Sequence, residues 1–337
     1  MSVDVVLPET QPELAAGSVR VAAIDCGTNS IRLLVADIDR ATGAMTDHVR
    51  LMEVVRLGQG VDQTGRLAED ALERTFAATR RYAEICAAYG VERIRFVATS
   101  ATRDAENRDV FVSGVKAAIG VEPEVVSGEE EAELSFAGAV SVLGTEHTGP
   151  YLVVDLGGGS TELVLGTKSP VAAYSMNVGC VRMTERHLKS DPPTAEEIEA
   201  AARDINAAID EASKHVPIGR TATLVGLAGT ITTVTAHALK LRSYDREQIN
   251  GAVLPLKAAQ ESTKNLMERN RAERAALPFM HPGRVDVIGA GALVWSTVMA
   301  RVQAAVAQAG GALRTTVTSE HDILDGIALS LALSLAR

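Results

Sequence analysis

Two segments 130 residues apart share the pattern D-x-G-x-x-S-x-x-L: DCGTNSIRLL at 25–34 and DLGGGSTELV at 155–164. Asp25 falls on Asp155, Gly27 on Gly157, Ser30 on Ser160 and Leu33 on Leu163, and an apolar run precedes each aspartate. Glycine lets the backbone offer successive N–H groups to an anion without interference from a Cβ, which makes a concave nest suited to phosphate. Thr28, Asn29 and Ser30 add side-chain donors beside Gly27, and Ser160 and Thr161 beside Gly157, Gly158 and Gly159. A carboxylate facing a phosphate repels it unless a cation or water intervenes, and Mg²⁺ commonly joins one or two carboxylates to phosphate oxygens. The expectation is a pair of phosphate-gripping hairpins, with Asp25 and Asp155 directed at a metal ion or an ordered water. One copy alone would read as a turn, since Gly, Asn, Ser and Asp are common turn residues. Two copies in register favour function.

Other phosphate motifs are absent. There is no GK[ST] for a P-loop, and GAGALV lacks the last glycine of a dinucleotide fingerprint. Three scattered cysteines, with no CxxC, suggest neither a disulfide framework nor a zinc site. The seven histidines form no metal-binding cluster and read as surface or satisfied core groups. Cys26 and Cys180 read as small buried thiols. A net charge of −10 offers no bulk attraction to nucleic acid or an anionic membrane, so neither is expected as a partner. The N-terminus has no basic region ahead of an apolar core, and the apolar stretches Gly289–Ala300 and Ile327–Ala336 read as too short to span a bilayer. A cytoplasmic location is expected.

These groups need elements to hold them. Residues 1–18 read as a loosely ordered tail. Val21–Ile24 and Arg32–Ile38 predict a hairpin, and the pattern begins again at Tyr151. Ala68–Tyr89 predicts a helix with Leu72, Phe76, Ala83 and Ala87 on one face, stopped by Gly90. Ile94–Ala98 predicts a strand, Asp109–Ile119 a helix and Val121–Val126 another strand. Ser100 and Arg103 follow the Ile94 strand, where α/β sites usually lie; the guanidinium fork suits phosphate, against the plainer alternative of a salt bridge to Asp104 or Glu106. Arg32 and Arg182 are weaker candidates of the same kind.

The stretch SGEEEAELSFAGAVSVLG opens a helix that should be largely buried, with Ser127 and Glu130 at capping-box spacing. On residue types alone, Glu129–Glu131 are favoured as helix-dipole acids. Thr194 and Glu197 cap a helix over Ala195–Lys214. Thr223–Leu227 predicts a strand before a helix from Ile231, and Val285–Ile288 a strand before a helix from Ala292. Ile323–Leu335 predicts a terminal helix. Trp295, Val298 and Val302 suit either the core or a homodimer interface. The composite is alternating α/β in two halves.

The paired D-x-G hairpins are similar to the phosphate loops of the actin, sugar-kinase and chaperone-ATPase superfamily, and GLAGTITT (226–233) resembles its third glycine loop. AIDCGTNSIRLLVADI (23–38), ATSATRDAEN (98–107), VVSGEEEAELSFAGA (125–139), VVDLGGGSTELVLG (153–166) and NVGCVRMTE (177–185) resemble the exopolyphosphatase/pppGpp phosphohydrolase (Ppx/GppA) family. The resemblance implies an α/β protein of two ribonuclease-H-like (actin-like ATPase) domains with a cleft between them. The expected division is 19–130, with a C-terminal helix at about 321–337 packing back, and 131–320. It also implies hydrolysis of a terminal phosphoryl group from inorganic polyphosphate or pppGpp, with Mg²⁺ or Mn²⁺. By position Glu131 corresponds to the catalytic glutamate, Arg103 to a phosphate-contacting arginine and Asp155 to a metal-associated aspartate. One residue beyond the capping Glu130, Glu131 would face the apolar side of its own helix, a setting that suits a general base. Long family members carry further helical domains, which points here to short-chain polyphosphate. The rival readings are a pppGpp phosphohydrolase, an ATP-dependent kinase on the same superfold and a non-catalytic polyphosphate or nucleotide sensor.

Overall fold

The computed structural model describes residues 7, 8, 10–141 and 143–333, and the chain divides into two compact units: 1–134 with 323–337, and 135–322. In the first, β1 (Ser18–Cys26) runs antiparallel to β2 (Ser30–Asp39), and β2 to β3 (Met45–Val54). On its other side β1 runs parallel to β4 (Arg93–Ala98), and β4 to β5 (Glu124–Val125), giving the order β3-β2-β1-β4-β5. Strand β1 is apolar but for Ser18, Arg20 and Asp25 because both its faces are covered. Ala22, Ile24 and Cys26 pack with the helices Glu69–Tyr89 and Arg108–Ile119, while Val19, Val21 and Ala23 meet the terminal helix Ile323–Leu333.

The helix Glu69–Tyr89 ends at Gly90, as expected, but presents a different face to the core. Its buried residues include Leu72, Thr75, Ala78, Thr79, Tyr82 and Ile85, whereas Ala87 is exposed. Thr75 and Thr79 turn their hydroxyls back onto the carbonyls of Ala71 and Thr75, so they pack as apolar residues.

The terminal helix is fixed by Arg50, which holds the buried Asp325 through two hydrogen bonds of 2.5 and 3.1 Å, and by a 2.8 Å bond from Arg95 to Ser330. Its closest approach is at Gly326, where a Cβ would lie 2.0 Å from the Leu134 carbonyl oxygen and 2.7 Å from its carbon. Backbone cannot yield cheaply there. Gly326→Ala is expected to lower stability by about 1–3 kcal/mol, as forced overpacking does, read as a lower urea midpoint.

In the second unit β6 (Tyr151–Leu156), β7 (Thr161–Gly166) and β8 (Pro170–Met176) form an antiparallel meander. Strand β6 is parallel to β9 (Thr223–Leu227), β9 to β11 (Thr315–Thr318), and β10 (Val253–Pro255) closes the edge. The sheet reads β8-β7-β6-β9-β11-β10, so its first five strands repeat the order of the first unit. This is the duplicated α/β, ribonuclease-H-like arrangement that the sequence predicts.

Several expectations change. Val285–Val287 form a turn and not a strand, and the helix Ile288–Gln308 starts at once. Its glycines serve close packing: a Cβ at Gly291 would lie 2.3 Å from Thr230 Oγ1. The strand at 121–126 shrinks to Glu124–Val125, and the helix expected from Ile231 begins at Ala228. The apolar stretch at 289–300 continues past Arg301 into a 21-residue helix, which by length and composition alone is long enough to cross a membrane. Trp295, Val298 and Val302 on it are each 1% exposed within the core of the second unit. Of the N-terminal stretch, residues 1–6 and 9 lie outside those described, as do Val142 and 334–337; the Pro12 and Glu13 carbonyls accept hydrogen bonds from Arg20.

Candidate functional site

Parallel strands bring their C-terminal ends to one edge. In the first unit Cys26 of β1 is level with Ala98 of β4, and Ala98 with Val125 of β5, so the residues that follow each strand are neighbours. After β1, Gly27 N–H donates to the Ser30 carbonyl (3.0 Å) and closes the turn. The loop is clamped from below: Gly58 N–H donates to the Thr28 carbonyl, and Val55 and Arg56 N–H to the Asn29 carbonyl, at 2.8–3.1 Å. Thr28 Oγ1 lies 2.8 Å from Ser100 Oγ, both buried, so Ser100 ties the loop to the residue after β4. Asn29 and Ser30 stay partly exposed at the tip.

Arg103 and Glu131 are brought together. Arg103 Nη1 donates to the Val126 carbonyl (2.9 Å) and to Glu131 Oε2 (3.0 Å). Arg103 thus pairs with Glu131, where the sequence offered Asp104 or Glu106. Glu131 is buried at 7% exposure, but its setting is an ion pair and not the apolar one expected. An ion pair requires the carboxylate form, which is the form that accepts a proton. Its neighbour is committed elsewhere: Ser127 Oγ caps the Glu130 N–H (3.1 Å), and the Glu130 carboxylate takes Arg95 Nη2 at 2.6 Å. Glu130 therefore serves the helix and Glu131 the site edge.

Asp25 is held by Arg32, whose Nε and Nη2 both donate to Oδ2 at 2.9 and 2.6 Å. The two face each other across the β1–β2 ladder. At the equivalent rung of the second unit, Asp155 faces Glu162. One position of the repeat thus reverses charge, and a sliding comparison that followed only shared residues passed over it. Glu162 is 1% exposed and accepts from Ser175 Oγ (2.7 Å); Asp155 accepts from Ser135 Oγ (2.5 Å).

The second loop repeats the first turn, with Gly157 N–H donating to the Ser160 carbonyl at 3.0 Å. Its carbonyls are taken by the helix Cys180–Arg186: Cys180 N–H binds the Gly157 carbonyl, Val181 and Arg182 N–H the Gly158 carbonyl, and Arg182 Nε the Gly159 carbonyl, at 2.7–3.1 Å. Arg182 thus holds the loop. Ser160, 2% exposed, lies inside the turn. The third glycine loop leaves β9 beside Asp155, with Ala228 at φ 68°. Sequence reasoning also missed Arg284, which lies so close that a Cβ at Gly229 would meet its guanidinium carbon at 2.5 Å; its separation from the loop left no signal in spacing.

Among the described residues no three His, Cys, Asp or Glu side chains form a metal-holding group. The two expected metal-directed carboxylates fit a cation differently. Asp25 holds the Arg32 guanidinium; Asp155 and Glu162 share one cross-strand rung and accept the Ser135 and Ser175 hydroxyls, and such paired carboxylates suit a hard divalent cation completing its shell with water and phosphate. The cysteines are unsuited to nucleophilic work: burial raises all three thiols, Cys180 to about 11 and Cys86 to about 12.

A model of the Ppx/GppA phosphatase family matches residues 34–321. The chain is 50% identical over 320 residues to Exopolyphosphatase 2 of Mycobacterium tuberculosis (strain CDC 1551 / Oshkosh), spanning 93% of this chain and 98% of that protein. It resembles the crystal structure of an exopolyphosphatase-like protein at TM-score 0.92 and 48% identity, over 95% of this chain and 100% of that one. It also resembles the Aquifex aeolicus member of the Ppx/GppA protein family at TM-score 0.76 and 29% identity, over 95% and 99%.

Proposed function

The chain belongs to the Ppx/GppA phosphatase family, and from that premise we propose that it is an exopolyphosphatase, releasing orthophosphate from the end of inorganic polyphosphate. The observation that carries this reading is the duplicated Asp-x-Gly-x-x-Ser turn, closed by the same backbone hydrogen bond at the ends of β1 and β6. The N–H groups of such turns bind phosphate oxygens. Arg103 neutralises charge on the transferred group, and Glu131 takes the proton of the attacking water. Such chemistry relies on positioning and electrostatics, because the loose transition state asks little covalent work of the protein. A divalent cation, Mg²⁺ or Mn²⁺, suits Asp155 and Glu162 and would offset the charge of the phosphate chain.

The test is orthophosphate release across polyphosphate lengths, with pppGpp and ATP beside them. Turnover of polyphosphate is expected, lost with EDTA and restored by Mg²⁺. Faster turnover of pppGpp would replace this reading with the nucleotide one. ATP consumption that requires an acceptor would make the protein a kinase.

A further inference from the structure

The helix Ala228–Ala238 begins at the third glycine loop and ends, on the far side of the second unit, at a cavity of about 650 Å³. Nothing in the phosphate chemistry uses it. Its walls divide by type. Phe279, Leu277 and Leu241 make an apolar side, with the His237 ring edge-on to Phe279 at 6.1 Å. Lys240 and Arg269 supply two cations. Arg269 is oriented by the bond from its Nε to Asn265 Oδ1 (2.7 Å). Lys240 occupies the left-handed region (φ 56°) just past the helix, a position that glycine usually fills. Glu261, also in the wall, is exposed and faces Lys257 at 3.9 Å, so solvent screens its charge.

His237 adds a second observation. Asn265 Oδ1 already accepts from Arg269, so His237 Nε2, 2.9 Å away, is the protonated nitrogen of the neutral ring. Burial and Arg269 lower this histidine's pKa, which favours that neutral form. Its Nδ1 is then an acceptor, buried and without a partner among the described residues. Buried acceptors are rarely left so, and this one lies on a ring that lines the cavity.

We propose that this cavity binds a small aromatic phosphate of nucleoside-monophosphate size, its ring against Phe279 and Leu277 and its phosphate at Lys240 and Arg269. An aromatic body with one anionic group matches a pocket apolar on one side and cationic on the other.

Calorimetric titration of the full chain with AMP tests this, with adenosine and inorganic phosphate as the two halves of the ligand. AMP is expected to bind saturably and more tightly than either half. Lys240→Gln and Arg269→Gln should each weaken it about tenfold, the loss of one charge-assisted contact, at unchanged melting temperature. Arg103→Gln, in the other unit, should leave AMP affinity unchanged. No saturable heat up to about 10 mM AMP, equal binding of inorganic phosphate alone, undiminished affinity in both cavity variants, or loss of binding with Arg103→Gln would each overturn the proposal.

Discussion

Glu131→Gln is expected to fold normally and to lose about 10²–10⁴ in kcat for phosphate release, the contribution of a positioned general base. The substitution is informative because Gln keeps the size of the side chain and an oxygen that can still accept from Arg103 Nη1, now 3.0 Å from Oε2. What it removes is the ability to take a proton. If Glu131 served only to hold Arg103, Gln would do so nearly as well and turnover would stay close to that of the wild type. Arg103→Gln provides the contrast: loss of the guanidinium should raise KM as well as lower kcat, because that cation meets the phosphate in the ground state and in the transition state. A Glu131→Gln enzyme with wild-type kcat would remove Glu131 from the chemistry and leave it a structural partner of Arg103.

Much of this architecture was legible because it is written twice. The apolar strand, the carboxylate, the glycine and the serine recur at one offset, and the structure repeats the turn hydrogen bond and the rung on which each aspartate sits. The segments that escaped the sequence were of two kinds. Strand β3, on a sheet edge, breaks its alternation at Thr46-Asp47-His48 and Leu51-Met52 and buries only Val49, and β10 and β11 are three and four residues long, so none has a strong periodic signal. The glycines of GAGALV misled in the opposite sense: the helix is expected only from Ala292, yet Gly289 and Gly291 lie inside a buried helix, and at Gly291 Thr230 and Cys180 leave no room for a Cβ. At the site itself, Glu131 and Arg103 were read separately. Their pairing follows from the parallel order of β1, β4 and β5, which no local spacing reports. Arg284 and Glu162 were missed for related reasons, one being distant in sequence and the other differing from its counterpart in the repeat.

Gly179→Ala is expected to cost at least about tenfold in kcat/KM for polyphosphate, approaching 10²-fold if the loop moves by an ångström. Gly179 has φ −149°, extended backbone open to alanine, so the substitution introduces no conformational strain of its own. The cost comes from contact. A Cβ there would lie 2.4 Å from the Gly158 carbonyl oxygen, 2.5 Å from its carbon and 2.7 Å from the Gly159 nitrogen. All three are backbone atoms of the phosphate loop, and Cys180, Val181 and Arg182 N–H groups draw that loop onto the same helix. Alanine must therefore push the loop outward or break those bonds, and either displaces the N–H groups proposed to bind phosphate. KM should rise more than kcat falls, since the loop grips the substrate before the reaction as well as during it. Arg182→Met offers a graded comparison, because it removes the Nε bond to the Gly159 carbonyl and leaves the helix N–H groups in place. Its loss should be smaller than that of Gly179→Ala. If Gly179→Ala kept the wild-type kcat/KM with an intact fold, the loop at 157–160 would not be the phosphate grip.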